Sequence, residues 1–379
     1  MKRERAIFEE AGTGEVAAPE PSGGLIDGAA RGARTAIRFW LMALFALVFL
    51  TVVIGGLTRL TDSGLSIVEW EPVSGVIPPM TGEAWEEEFA SYRDTPEFQL
   101  QNNRMTLAEF RTIYWWEWGH RQSGRAVGLV WAVGFLFFWL AGRIPVGWTG
   151  RLFALGPLIG LQGVIGWWMV RSGLTGQAVD VASYRLAIHL GLAFVVLGLV
   201  AWHVLRLARS EADLLRARRG RDAGLFSLAT GLMHFAFLQV LLGALVAGID
   251  AGRSYTDWPL MGGQAIPDGM LALSPVWLNF LENPATTQFV HRLTGYLLIA
   301  LAFVVWRRSR TSGNTSVKAA FLAVFAMLVL QAILGVATVV HAAPWQIAIL
   351  HQIGAVLSFV LIVRARFSAQ YPASQRIGA

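Results

Sequence analysis

Hydropathy rises eight times along the chain, and the polar stretches between the rises differ in sign. Apolar segments long enough to cross a bilayer, about 20 residues each, run near 37–57, 121–141, 150–170, 184–207, 225–247, 287–307, 317–339 and 345–364. The pattern predicts an all-α integral membrane protein with eight transmembrane helices. Arg31, Arg34 and Arg38 precede the first segment, and Arg143 and Arg151 separate the second from the third. Arg206, Arg209, Arg216, Arg218, Arg219 and Arg221 follow the fourth. Arg307, Arg308, Arg310 and Lys318 separate the sixth from the seventh, and Arg364 and Arg366 follow the eighth. After eight crossings all of these share one side, which the positive-inside bias assigns to the cytoplasm together with both termini. The 58–118 loop on the opposite side is acidic, with Glu69, Glu71, Glu86, Glu87 and Glu88 among its carboxylates.

Composition agrees. Of 379 residues, 55% are hydrophobic and only 15% charged, against about 25% charged in soluble domains. The net charge of +6 sits at segment ends, where topology requires it, and does not indicate nucleic-acid binding. With no cysteine in the chain, thiolate ligands, disulfides and iron–sulfur clusters are excluded. Residues 1–35 read as a disordered cytoplasmic N-terminus. Glu9 and Glu10 speak against a transit peptide there, and no cleavable signal is expected.

The second half repeats the first. His120-Arg121-Gln122-Ser123-Gly124 recurs as His291-Arg292-Leu293-Thr294-Gly295, and His189-Leu190-Gly191 as His351-Gln352-Ile353-Gly354. Leu161-Gln162 and Gly166 match Leu330-Gln331 and Gly335; Asp62-Ser63-Gly64 matches Asp250-Ala251-Gly252. Such self-similarity predicts two tandem four-helix bundles related by a pseudo-twofold axis along the membrane normal. The first occupies 36–210 and carries the long outer loop 58–118. A cytoplasmic linker, 211–224, leads to the second bundle, 225–366, and a cytoplasmic tail, 367–379, follows.

Imidazole is expensive in hydrocarbon unless something binds it. Two duplicated pairs, His120 with His189 and His291 with His351, predict two hemes, each held by histidines from two helices near the outer face. The halves then diverge. Glu117 stands one helical turn before His120 on the same face, and the matching residue in the second half is Gln288. A carboxylate can take a proton and an amide cannot, so the first site is expected to do chemistry and the second to hold a permanent cofactor. Glu117 has a plainer reading too, as the group that orients His120 or caps its helix. Arg121, Arg125 and Arg292 are candidates to pair with heme propionates, or to snorkel at the interface. His203 lies about four turns beyond His189 on the same helix face, but the equivalent in the second half is Ala365. It is assigned to structure, as are His234 and His341.

The outer loop reads Gly55-Gly56-Leu57-Thr58-Arg59-Leu60-Thr61-Asp62-Ser63-Gly64-Leu65-Ser66, then Glu69-Trp70 and Pro78-Pro79. Before the second segment comes Phe110-Arg111-Thr112-Ile113-Tyr114-Trp115-Trp116-Glu117-Trp118-Gly119-His120-Arg121. Both resemble the heme A synthase family, and the likeness covers nearly the whole chain after residue 35. One branch of that family carries a cysteine pair in this loop; the chain resembles the cysteine-free alphaproteobacterial and mitochondrial branch. The resemblance implies an oxidoreductase that converts the C8 methyl of heme O to a formyl, through a hydroxymethyl intermediate, to give heme A for terminal oxidases. It implies heme b on His291 and His351, the heme O substrate framed by His120 and His189, and Glu117 as the functional carboxylate.

The location expected is the bacterial inner membrane. Membrane lipid, the heme O synthase (a farnesyltransferase), oxidase assembly factors and a second copy of the chain are the expected partners, with no nucleic acid. The alternative is a diheme b-type cytochrome in electron transfer, which needs heme near both membrane faces. A third class, a non-catalytic heme carrier or assembly chaperone, has no need of a carboxylate at one site only.

Overall fold

The computed structural model describes residues 25–174, 176 and 178–373. Among them the chain is helical, with an isolated bridge between Met261 and Gln264 and no longer strand. The helices are α1 (Leu25–Leu60), α2 (Gly82–Arg93), α3 (Pro96–Leu100), α4 (Leu107–Leu140), α5 (Thr149–Phe153), α6 (Leu155–Gly173), α7 (Ser183–Leu207), α8 (Glu211–Arg219), α9 (Ala223–Gly248), α10 (Asn279–Glu282), α11 (Pro284–Ser309), α12 (Thr315–Val340) and α13 (Trp345–Gln370). Eight spans are long and apolar enough to cross a membrane, α5 and α6 together making the third.

The sequence segments and the helices differ mainly at their ends. α4 begins at Leu107, far ahead of the expected 121. Thr106 and Glu109 form a reciprocal capping box there, the Thr106 hydroxyl accepting from the Glu109 amide while the Glu109 carboxylate accepts from Thr106. Two otherwise unpaired donors are thereby satisfied and the helix starts in the polar loop. His120 therefore does not open its span but lies about three and a half turns inside the helix. α1 already runs from Leu25, so 25–35, expected to be disordered, is helical; residues 1–24 lie outside the described residues. The expected linker 211–224 contains α8, whose N-cap Ser210 accepts from the Asp213 amide. α13 continues through Gln370, past the expected start of the tail; 374–379 are outside the described residues. The loop 58–118 is also largely helical. Trp85, Phe89 and Tyr92 of α2 pack on Phe110 and Tyr114 of α4 as a separate aromatic core.

α1, α7, α9 and α13 stand at the centre. α1 packs on α4 and α7, and α6 on α7. The same relations recur with α9 packing on α11 and α13, and α12 on α13. Across the middle, α7 meets α9 and α1 meets α13. The core is continuous through this middle: Val356, Phe359 and Val363 of α13 belong to the cluster built by α1, α4, α6 and α7. Phe194 and Phe359 pack edge to face with centroids 5.4 Å apart, the arrangement favoured by the ring quadrupoles.

At the acidic end one arginine gathers carboxylates from three loops. Arg59 lies 2.9 Å from both Asp62 and Asp250, and 3.6 Å from Asp180. Asp62 and Asp250, matching residues of the two halves, both have left-handed backbones, with φ of 48° and 50°. Asp tolerates that conformation better than most residues.

Candidate functional site

Each of the four histidines meets a glycine on a neighbouring helix. A Cβ built on Gly55 would fall 2.5 Å from Cε1 of His120, and one on Gly243 would fall 3.1 Å from Cε1 of His291. For Gly166 and His189, and for Gly335 and His351, the distance is 3.0 Å. A residue with no side chain lets the Cε1 edge of the imidazole approach the adjacent backbone this closely. His189 lies within electrostatic reach of His120, and His291 of His351. The structure thus brings together the two pairs that the sequence matched.

The backbone at each histidine is held by side chains of neighbouring residues. The Gln162 amide donates to the main-chain oxygen of His189 at 2.8 Å, and Gln331 donates to that of His351 at 2.7 Å. Ser123 and its counterpart Thr294 donate to the main-chain oxygens of His120 and His291. Gln239 also donates to the His291 oxygen, at 2.9 Å, and its amide nitrogen lies 3.1 Å from Nδ1 of that ring. In His120, His189 and His351, Nδ1 is enclosed without a hydrogen-bond partner, while each ring as a whole stays partly accessible. The accessible side lies away from Nδ1, toward Nε2, a nitrogen able to bind iron. No group of three or more His, Asp or Glu converges among the described residues. The donor sets are pairs of imidazoles, which suits a porphyrin that fills the other positions itself.

Glu117 is buried and fully engaged. Its Oε2 accepts from the Ser66 hydroxyl and the Ile67 amide, both at 2.8 Å. Its Oε1 accepts from Arg121 Nε at 3.1 Å and Nη2 at 2.7 Å. Arg121 in turn donates to the carbonyls of Ile67 and Glu69. The pair fastens the start of the outer loop onto α4, one turn from His120. The second half repeats the fastening with other chemistry. Gln288 donates to the Tyr255 carbonyl at 3.0 Å, and Arg292 donates to the carbonyls of Tyr255, Asp257 and Leu260. Glu117 thus forms an ion pair where Gln288 forms a neutral contact.

The arginines expected to face propionates are turned largely onto loop backbone. Arg125 donates to the carbonyls of Pro72 and Glu71. What remains enclosed without an acceptor is Arg125 Nη1 at the first site and Arg292 Nε at the second. Beside Arg121 and Arg125 lies a cavity of about 350 Å³, also lined by Tyr114, Trp118, Glu69 and Glu88. Burial, with Glu71 and Glu69 nearby, raises the Glu88 carboxyl above its ordinary range.

The two halves touch beside the histidines. Gln352, next to His351, donates across the middle to the Val52 carbonyl of α1 at 2.8 Å, its amide lying over Gly56. His234 and His341 bond carbonyls one turn back in their own helices, Thr230 and Ala337. His203 packs against Trp148. All three lie apart from the pairs.

Sequence reasoning passed over the glycines and glutamines. The signal was present, because Gly166 with Gly335 and Gln162 with Gln331 stood in the repeat; what they touch required the packing.

The family described as cytochrome oxidase assembly protein matches residues 38–363 of the chain. The chain is 59% identical to a protein named heme A synthase from Ruegeria pomeroyi, over 100% of both chains. It is 59% identical to one of the same name from Dinoroseobacter shibae, over 98% of this chain and 97% of the relative. A third, from Paracoccus denitrificans, is 57% identical over 97% of each.

Proposed function

Because the chain belongs to the cytochrome oxidase assembly protein family that includes the heme A synthases, we propose how its two histidine pairs divide the work of heme A synthesis. The chain is a multi-pass membrane oxidoreductase, and heme O is its substrate. His120 and His189 hold that substrate, and His291 and His351 hold heme b. The observation that carries this division is the difference one turn before the first ligand: a buried ion pair at Glu117 and Arg121, a neutral amide at Gln288. Each half is a four-helix bundle, related to the other by a pseudo-twofold axis.

The C8 methyl of heme O becomes a hydroxymethyl and then a formyl, water supplying the oxygen and each stage releasing electrons and protons. If His120 and His189 both ligate the substrate iron, no position would remain there for dioxygen, and oxygen activation at that iron would be disfavoured. Heme b, when bound, supplies a one-electron relay. The protein's part is positional and electrostatic. The glycine-backed imidazoles would hold the porphyrin iron. The Glu117–Arg121 pair holds Ser66 to Glu69 over the first site, and Glu117 is the nearest carboxylate able to take a proton once that pair loosens. The cavity beside Arg121 and Arg125 admits water, and Arg125 Nη1 and Arg292 Nε are the donors left for propionates. The arginine-rich ends face the cytoplasm, with both termini, and the hemes lie toward the outer face of a bacterial inner membrane. Heme O synthase and oxidase assembly factors are the partners that would deliver substrate and take product.

Extraction and mass analysis of hemes from membranes with and without the chain tests this. A shift from heme O to heme A, or to the hydroxylated intermediate, is expected. Heme b alone would mark the alternative, a diheme cytochrome. His203 speaks against that alternative, because it stands among Trp148 and arginines with no facing histidine.

A further inference from the structure

At the end of the bundle remote from the four histidines, one indole is surrounded by donors. Trp148 is 1% exposed. Three guanidinium carbons lie over its ring: Arg34 at 5.8 Å, Arg151 at 5.3 Å and Arg206 at 5.4 Å from the centroid. The His203 imidazole meets it edge-on at 5.6 Å. These residues come from α1, α5 and α7, so the cluster closes the seam between the first, third and fourth spans. It lies about 21 Å along α7 from His189, well away from the substrate site.

The cluster holds donors in excess of acceptors. The donors Trp148 Nε1, Arg206 Nε and, one turn along α1 from Arg34, Arg38 Nε are all enclosed with no hydrogen-bond partner, and His203 Nδ1 is enclosed without one as well. An indole N–H can only donate, and an enclosed donor without an acceptor is costly. One carboxylate approaches: Glu211 lies 3.7 Å from Arg34 and 3.3 Å from Arg206. Arg34 spends one nitrogen on the carbonyls of Arg206 and Arg209. Arg38 and Arg151 have no carboxylate partner among the described residues. A guanidinium lying over an aromatic face keeps its N–H edges free to bind elsewhere. Arginines placed only to set topology would snorkel to water and would leave no indole N–H enclosed beneath them.

We propose that the Trp148 cluster is a binding site for a phosphate group, carried by the headgroup of an anionic phospholipid or supplied as free phosphate. A phosphate presents several acceptor oxygens and negative charge, which matches the unpaired donors and the surplus of guanidinium. Basic pockets between transmembrane helices on the cytoplasmic side bind acidic headgroups by this chemistry. With the arginine-rich end in the cytoplasm, the lipid belongs to the inner leaflet.

The test uses the full-length, heme-loaded protein in detergent, titrated with dioctanoyl-phosphatidylglycerol, dioctanoyl-phosphatidylcholine or inorganic phosphate, and read by native mass spectrometry. Wild type is expected to bind the glycerol lipid or phosphate, with phosphatidylcholine much weaker. The double variant Arg38→Gln, Arg151→Gln is expected to bind at least about tenfold more weakly. Trp148→Phe keeps the ring and removes the N–H, and weakens binding in the same direction; it serves if the double variant does not fold. Unchanged heme absorption checks that the bundle is intact. Saturation by the glycerol lipid but not by phosphate identifies a headgroup, and the reverse identifies free phosphate. Equal binding by wild type and both variants, or phosphatidylcholine binding as tightly as phosphatidylglycerol, overturns the proposal.

Discussion

The His120 ring lies against Gly55 so closely that a Cβ there would fall 2.5 Å from its Cε1. No real Cβ sits that near a ring carbon, so Gly55→Ala must move the imidazole or part α1 from α4. Overpacking of this kind costs about 1–3 kcal/mol. We expect Gly55→Ala to lose heme O binding and heme A formation while keeping the heme b spectrum. Gly243→Ala, with 3.1 Å to His291, should weaken heme b retention more mildly. Quantified heme content of the two purified variants checks both; an unaffected heme O site in Gly55→Ala refutes the assignment.

The Glu117–Arg121 pair predicts matched losses. Glu117→Gln can no longer accept from Arg121, Ser66 and Ile67 together, and its amide adds donors where only donors already stand. Heme A formation is expected to fall at least about tenfold, with heme b retained. If the carboxylate acts by holding the loop, Arg121→Gln reproduces that loss, and neither variant moves the pH profile of the residual activity. If it takes the proton itself, only Glu117→Gln removes the acidic limb of that profile. Wild-type rates in Glu117→Gln contradict both roles.

A pH effect belongs to the outer loop. Glu97 is enclosed near Tyr92, and its Oε2 has no hydrogen-bond partner. Burial lifts this carboxyl from 4.5 to about 8, with Glu117 adding to the rise. The folded loop therefore binds a proton that the unfolded chain has released. Its stabilising contribution is whole below pH 4.5, declines as pH rises through about 8, and is gone above that. Hydrogen-exchange protection in 82–100, measured relative to the intrinsic base-catalysed rate, should fall as the buffer moves from pH 6 to 9. Glu97→Gln should flatten the dependence; an unchanged dependence in that variant rules Glu97 out as its source.

Arg59 predicts a stability effect. Its side chain is 15% exposed and bridges carboxylates from three loops, so Arg59→Ala leaves Asp62, Asp180 and Asp250 facing one another. A loss of about 2 kcal/mol is expected, seen as a lower melting temperature, with Arg59→Lys in between. Asp180, already raised by burial, should rise further. Melting identical to wild type would show the bridge to be incidental.

The spans were legible because lipid forces long apolar runs, and the four histidines stood out because their motifs were duplicated. The start of α4 was not, since Glu109, Arg111 and Glu117 break the hydropathy although Thr106 and Glu109 spell a capping box. The Glu117–Arg121 contact follows from helical spacing. Its loop partners, Ser66 and Ile67, are distant in sequence, and no local pattern points to them. The propionate expectation for Arg121 and Arg292 followed from charge alone; the structure spends most of their donors on loop carbonyls and, for Arg121, on Glu117. The glycines beneath the imidazoles stood in the repeat, but a missing side chain announces no partner until the helices are packed.

The reach of Gln352 from the helix of His351 to the backbone of α1 has an evolutionary corollary. Duplication normally frees one copy to wander, yet here the second copy supplies a contact beside the first copy's histidine pair. Fission of the gene between α8 and α9 would therefore yield fragments that must reassociate before the contact of Gln352 with α1 is restored. Drift in the rear copy stays answerable to the front one.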